Sequence, residues 1–389
     1  MPPLAPANMP PLAPRCKHRI TELEAQIKKA EGGKPPISSM KSYINLGRCI
    51  HKVVSAFDSI DSLIVENDRR QDLEEVRASS EDVDDEEEEP TAEQDHLYRG
   101  YKELMRYIPP LRKALNDANH EELSQIIAAL RNGARNARSD DTKNLREAIV
   151  PWLHRVFPDI DPVLDPASHD NRGLDHDTTG GLLCPVEDNW ADPEVRENIR
   201  EGHLEFPVMH NSWFIGLYPQ RQFDPNNPEQ GLFKNLILLM VYKYIFTSPH
   251  SAKSMSTNTV NGENVDPSTA TAAPKNKRGK KKTVSKSKRS VAALIGMTRV
   301  SGRSIAYAAV QYRNDGAFDY VQFYDNIVDY FESAPGPIAK LEVAQLLDWW
   351  NSYVFGTATQ WSLYEGGSAP ATSSVARMNA ARAAREVRA

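Results

Sequence analysis

Between His169 and Cys184 lies the densest set of side chains able to move protons, bind a metal or attack a carbonyl: His169, Asp170, Asp175, His176, Asp177 and Cys184. Imidazole and carboxylate ligate divalent metals, and a thiol beside an imidazole is activated as a nucleophile. The spacing fits no closed zinc site, in which ligand pairs recur at short fixed intervals. His176-Asp177 followed by Thr178-Thr179-Gly180-Gly181 reads equally well as a capped turn into the LLCP segment, with Cys184 as a small buried hydrophobe. Gly180-Gly181 is not a phosphate loop, because no Gly-Lys-Ser/Thr follows and no strand precedes. His203 and His210 flank an aromatic loop and read as structural. The sequence thus names no catalytic residue, metal ligand or cofactor. An enzyme using the His176–Cys184 region through a metal or a thiol stands as the alternative to a non-enzymatic protein.

The second stretch with chemistry is basic. KNKRGKKKTVSKSKR carries Lys275, Lys277, Arg278, Lys280, Lys281, Lys282, Lys286, Lys288 and Arg289 with no acidic residue among them. The whole chain has 47 Lys and Arg against 53 Asp and Glu, a net charge of −6, so these nine cations leave −15 on everything else. The remainder should repel a polyanion that this run attracts. KNKRGKKK and KSKR match the lysine clusters that an import receptor reads on an extended chain. Nuclear targeting, weak contact with a nucleic-acid backbone and a merely solubilising loop are the three readings. Trp349, Trp350, Tyr353 and Phe355 do not alternate with basic residues as RNA-stacking surfaces do. Helical spacing assigns Trp350 and Val354 to a core and leaves Trp349 on another face.

The elements that must carry these residues are helices. The chain has 389 residues, of which 40% are hydrophobic and 26% charged, a mixture that suggests folded parts separated by segments with little to bury. The fold class predicted is mostly α: an irregular multi-helix domain with an aromatic, loop-rich segment, an N-terminal amphipathic helix resembling a coiled coil, and disordered insertions. Residues 1–36 read as a proline-rich arm with a short helix, 37–77 as one long amphipathic helix and 78–94 as an acidic linker. Residues 95–250 read as the first part of a helical domain and 251–290 as a disordered basic insertion. Residues 291–356 are its second part, and 357–389 a disordered tail.

Within 37–77, Tyr43, Leu46, Ile50, Val53, Phe57, Ile60 and Ile64 step by three and four, a heptad seam. It suits either a partner chain, met through Tyr43, Ile50, Phe57 and Ile64, or the protein's own core. Separate helices are expected over 122–137 and beyond a cap at Asp140, Asp141 or Thr142. DPEVRENIREG reads as a helix capped by Asp192 with Pro193 in its first turn. The segment Gly231–Phe246, apolar on nearly all sides, is expected at the centre of the fold. The helices flanking the basic insertion are expected to meet in one core, since loop-closure cost grows by only about 0.6 kcal/mol per doubling of length. In the last helix Leu341, Ala344, Leu347, Trp350 and Val354 form the predicted buried side.

Cys16, Cys49 and Cys184 are odd in number and widely spaced, which argues for a reducing compartment. MPPLAPANMPPLAP lacks the pattern of a secretory signal, and GLFKNLILLMVYKYIFTSP is too short and polar to span a bilayer. A nuclear or cytoplasmic protein that is not secreted, with no membrane contact and an open oligomeric state, is expected.

Four blocks carry a resemblance: TTGGLLCP, DPEVRENIREG, GLFKNLILLMVYKYIFTSP and LLDWWNSYVF. Together with ARSDDTKNLREAI and SVAALIGMTRVSGRSIAYAAVQYR, they resemble a large family of uncharacterised fungal proteins expanded in basidiomycetes, over roughly Ile37 to Phe355. The resemblance implies no activity, cofactor or active site. Gly181 stands where that pattern has a basic residue, and the stretch between Gln311 and Phe323 is shortened.

Overall fold

The computed structural model describes residues 37–79, 89–168, 170–253, 290–313, 318–356 and 374–388. In chain order the first helices are α1 (Ile37–Gly47), α2 (Ile50–Val53), α3 (Ile60–Ser79), α4 (Ala92–Tyr107), α5 (Pro109–Asp117) and α6 (His120–Val156). Then come α7 (Asp177–Leu183), α8 (Pro193–Glu201), α9 (Leu236–Phe246), α10 (Pro249–Lys253) and α11 (Val291–Leu294). The last are α12 (Gly302–Arg313), α13 (Tyr320–Glu332), α14 (Gly336–Phe355) and α15 (Ser374–Arg388). Among the described residues there is no strand, only an isolated bridge between Pro185 and Phe214. The mostly α class is as predicted. The proline-rich arm, most of the acidic linker and the basic run 275–289 lie outside the described residues.

The chain divides into two compact units, Met1–Arg48 with Asp58–Ala134, and Cys49–Phe57 with Arg135–Ala389. In the first, Thr91 opens α4 with a reciprocal capping box, its hydroxyl accepting from Gln94 N–H and the Gln94 side chain accepting from Thr91 N–H. Pro109 and Pro110 close that helix and start α5. Helix α3 packs on α4. Arg70 ties the pair, bonding to Glu66 one turn back and to Asp95 at 2.7 Å, with its guanidinium 4.2 Å from the Tyr98 ring. Helix α1 approaches α6 at glycines: a Cβ on Gly47 would overlap the Leu130 backbone, and one on Gly133 the Ile44 carbonyl.

The single helix predicted over 37–77 is instead broken into α1, α2 and α3. Between α2 and α3 the backbone carbonyls are taken by side chains from elsewhere in the sequence: Arg303 donates to Val54 O, and Arg138 to Ala56 O at 3.3 Å. Helical bonding is thereby replaced, and Ser59 starts α3 anew by accepting from Ser62 N–H. The four seam residues consequently do not form one stripe. Ile50 is buried in its own chain, Phe57 meets Tyr324 edge-on at 5.7 Å, and Tyr43 and Ile64 belong to the other unit.

A second difference lies in α6, which runs unbroken for 37 residues where two helices were expected. Asp141 and Thr142 do not cap it. They bond outward from its middle, Asp141 to Lys52 and Tyr307, Thr142 to Gln311.

The second unit is built around α9 and α12, which pack on each other. The apolar helix is central, as predicted, but begins only at Leu236. Asn235 caps it by accepting from Ile237 N–H, while its amide donates to Tyr218 O at 2.8 Å. Every residue of α12 is buried. The flanks of the basic insertion therefore meet in one core. The aromatic, loop-rich segment wraps this core as expected: Trp213, Phe214 and Tyr218 are fully buried, Trp213 lying 5.5 Å from Phe233 and Phe214 5.7 Å from Phe323.

On α14 the buried stripe is Ala339, Val343, Leu346, Leu347 and Trp350, and Leu341 is exposed. In a helix this apolar more than one stripe has the right spacing, and packing selects among them: Trp350 lies 5.1 Å from the Tyr242 ring. Helix α15, formed where a disordered tail was predicted, packs on α14. Its alanines favour helix, and it buries Met378 and Arg382 one turn apart. Arg382 lies 4.4 Å from the Tyr330 ring and 3.2 Å from the Glu229 carboxylate, and Glu386 accepts from Ala339 N–H at 2.8 Å.

Replacing Gly133 with Ala should destabilise the first unit by about 1–3 kcal/mol, because the new methyl meets rigid backbone and not a movable side chain. Urea unfolding followed by circular dichroism measures this, and an unchanged midpoint would mean that α1 and α6 do not approach so closely.

Candidate functional site

Helix α7 explains what His176 does. The helix is seven residues long and His176 is its N-cap, Nδ1 accepting from Thr178 N–H at 3.0 Å. Nε2 donates to Pro162 O at 2.6 Å, so both ring nitrogens are engaged and the ring is buried. Asp177 pairs at the surface with Arg200, which holds its carboxyl below the ordinary value. Gly180 and Gly181 lie under Trp190, whose indole N–H donates to Asp177 O at 2.9 Å, and a Cβ on either glycine would overlap that ring. The space that a side chain at Gly181 would need is thus filled by an aromatic ring.

Cys184 closes the same helix. Its thiol is fully buried, 3.4 Å from Pro185 O, and burial, reinforced by Asp188, pushes it up to about 12. His176 and Cys184 stand at opposite ends of α7, roughly 12 Å apart at ~1.5 Å rise per residue. No thiol–imidazole pair forms. Asp170 and Asp175 are exposed, and His169 lies outside the described residues. His203 accepts from Glu205 N–H at 3.4 Å, and His210 lies 3.9 Å from Asp319. Among the described residues no group of three His, Cys, Asp or Glu side chains is placed to hold a metal.

A different site is assembled in the second unit, where α6, the turn Gly173–Asp175, α7 and the end of α12 enclose a cavity of about 540 Å³. Leu145, Ile149 and Leu153 of α6 give it an apolar wall, continued by Leu182 of α7. Four arginines also line it, Arg146, Arg172, Arg200 and Arg313, against one carboxylate, Asp175.

Each arginine is held differently. Arg172 donates to two backbone carbonyls, Arg146 O at 3.1 Å and Asp165 O at 2.6 Å. Arg200 donates to Leu174 O at 3.0 Å while its other edge meets Asp177. Arg313 is buried, its guanidinium 3.9 Å from the Phe318 ring and 5.2 Å from Phe214, with a bond to Leu183 O. Arg146 is exposed and free of side-chain partners among the described residues. One end of the buried Gln311 amide takes the Thr142 hydroxyl at 2.8 Å.

Sequence reasoning missed this site because its cations lie up to 167 positions apart, between Arg146 and Arg313. One local signal existed: SIAYAAVQYR is an apolar helical segment that ends on a charge, so the charge must be buried with company. The predicted basic residues from Lys275 to Arg289 fall outside the described residues.

Fold and cavity together define an all-α protein with a cationic pocket among apolar helices, and among the described residues no helix is long and apolar enough to cross a membrane. The chain belongs to the family of unknown function DUF6698, whose model matches residues 132–355. All residues lining the cavity fall within that match. No curated protein and no solved structure matches the chain.

Cys184 should resist a maleimide at neutral pH in the folded protein and react once the chain is unfolded, as mass spectrometry would register. The folded thiol keeps its proton up to about 12 against an ordinary 9.0, so its contribution to stability is complete below about pH 9 and is lost as pH rises from there toward 12. Rapid labelling of native Cys184 would overturn this account.

Proposed function

We propose that this protein is a non-enzymatic binding or scaffold protein that works in the nucleus and touches nucleic acid weakly through its basic run. The observation that carries the reading is the partition of charge, nine cations within residues 275–289 against −15 on the rest of the chain. Such a run is attractive to an import receptor and to phosphates, and the acidic remainder limits how tightly any polyanion is held. Side chains suited to catalysis give the enzymatic alternative little support: His176 is spent on a helix cap and a backbone carbonyl, and Cys184 keeps its proton.

The test is Lys280, Lys281 and Lys282 together replaced by Ala. A fluorescent fusion too large to diffuse through nuclear pores should accumulate in the nucleus as wild type and lose that accumulation as the variant. Binding of purified wild-type protein to duplex DNA should be weak and indifferent to sequence, because lysines meet backbone more than base edges. Its logarithmic salt dependence should become shallower by roughly 2.7 in the variant if all three lysines contact phosphates. Unchanged localisation with no DNA or RNA binding at low salt would leave the run a solubilising segment.

A further inference from the structure

We infer that the cavity of the second unit is a binding site for a small organic anion, a carboxylate or phosphate head carried on an apolar body. This inference is independent of the nuclear reading, since none of the residues it uses belongs to the basic run.

Charge is the first observation. Four guanidiniums and one carboxylate leave the lining at +3 in a chain whose total is −6. Arg200 is offset by Asp177, which touches it from outside the cavity. Arg146 and Arg172 have no carboxylate partner among the described residues. Arg172 is instead fixed by two backbone carbonyls, which orient its guanidinium without neutralising it. A guanidinium held this way is a fixed, un-neutralised positive charge for an oxyanion to meet.

Polarity and size supply the rest. Behind the cations the wall is leucine and isoleucine, which bind no phosphate backbone but do accept an aliphatic or aromatic body. The Gln311 amide is more than nine-tenths buried at this wall and has one end on Thr142, leaving the other end without a protein partner to hydrogen-bond a ligand. A volume of about 540 Å³ falls within the range of pockets that take small molecules, ~300–1,000 Å³. An apolar wall, a few convergent polar groups and uncompensated cations together select an amphiphilic anion over a neutral lipid or a bare inorganic ion.

Four probes test this on the full chain by isothermal titration calorimetry: decanoate, decyl phosphate, decanol and inorganic phosphate. Decanoate or decyl phosphate should bind at one site per chain, the tighter of the two identifying the head group. Decanol and inorganic phosphate should each bind at least about tenfold more weakly. Arg146→Glu, a change at an exposed side chain without partners, should weaken the anion at least about tenfold while leaving the unliganded melting temperature in place. Ile149→Trp, which fills the apolar wall, should weaken it likewise, whereas the triple lysine variant of the basic run should bind as wild type. The site is refuted if neither amphiphilic anion binds by about 1 mM, if decanol binds equally well, if Arg146→Glu has no effect, or if the lysine variant loses binding.

Discussion

A helix buried on every side forces the second unit to be built around it. The twelve residues of α12 have no exposed face, yet they include Arg303, Ser304, Tyr307, Gln311 and Arg313. Each of these must find a partner inside the protein, because a buried polar group left without one costs about 1–3 kcal/mol and breaking a buried ion pair about 3–5 kcal/mol. Against a total stability of about 5–15 kcal/mol, two such failures decide whether the domain folds. The partners come from five directions. Glu332 of α13 grips Arg303 with two bonds, and Val54 offers it a carbonyl. Tyr242 of α9 meets Ser304 at 3.0 Å, Asp141 of α6 takes Tyr307 at 2.8 Å, and Thr142 takes Gln311. Arg313 donates to Leu183 O and lies against the Phe214 and Phe318 rings.

That requirement shapes segments far from α12 in sequence. The chain leaves helical geometry after α2 because its carbonyls are wanted by Arg303 and Arg138. Helix α6 runs straight through its supposed caps because Asp141 and Thr142 are needed as side-chain partners at mid-helix, and Asp141 holds buried Lys52 as well. The close packing leaves no room for a side chain at Gly302, where a Cβ would overlap Phe331. The last charge of α12 is then both a structural end and a cavity wall, so the pocket inherits its rigidity from the core.

Local chemistry made part of this legible. Asp192-Pro193 at one end and Gly202 in a left-handed conformation at the other mark α8 as the sequence indicates. The continuous apolar run of α9 could only be central, and Trp350 is buried. What failed were inferences that treat a periodic stripe as sufficient. Tyr43, Ile50, Phe57 and Ile64 keep heptad spacing across a backbone that is not one helix, because capture of carbonyls by distant arginines is invisible in a local window. Leu341 is exposed and Val343 buried, because an apolar helix offers more than one stripe of helical spacing and tertiary packing selects among them. The cavity was illegible for a related reason: Arg146, Arg172, Arg200 and Arg313 have no common motif and converge only after the helices pack. His176 and Cys184, by contrast, were correctly read as compatible with a capped turn and a small buried hydrophobe.

The two cationic features of this chain differ in kind. Lysines predominate in the run from Lys275 to Arg289, seven against two arginines. Lysine is a strongly hydrated point charge on a flexible stem, suited to diffuse attraction whose strength follows salt. The cavity uses only arginines, and at least Arg172, Arg200 and Arg313 are anchored through backbone carbonyls or rings before any ligand arrives. A planar fork oriented in advance loses little entropy on meeting an oxyanion, and beside an apolar wall its field is less screened than in water. Increasing salt should therefore erode the attraction of the lysine run far sooner than that of the cavity. The acidic remainder of the chain works in the same direction, discouraging long polyanions while leaving a small anion able to enter a pocket whose own charge is positive.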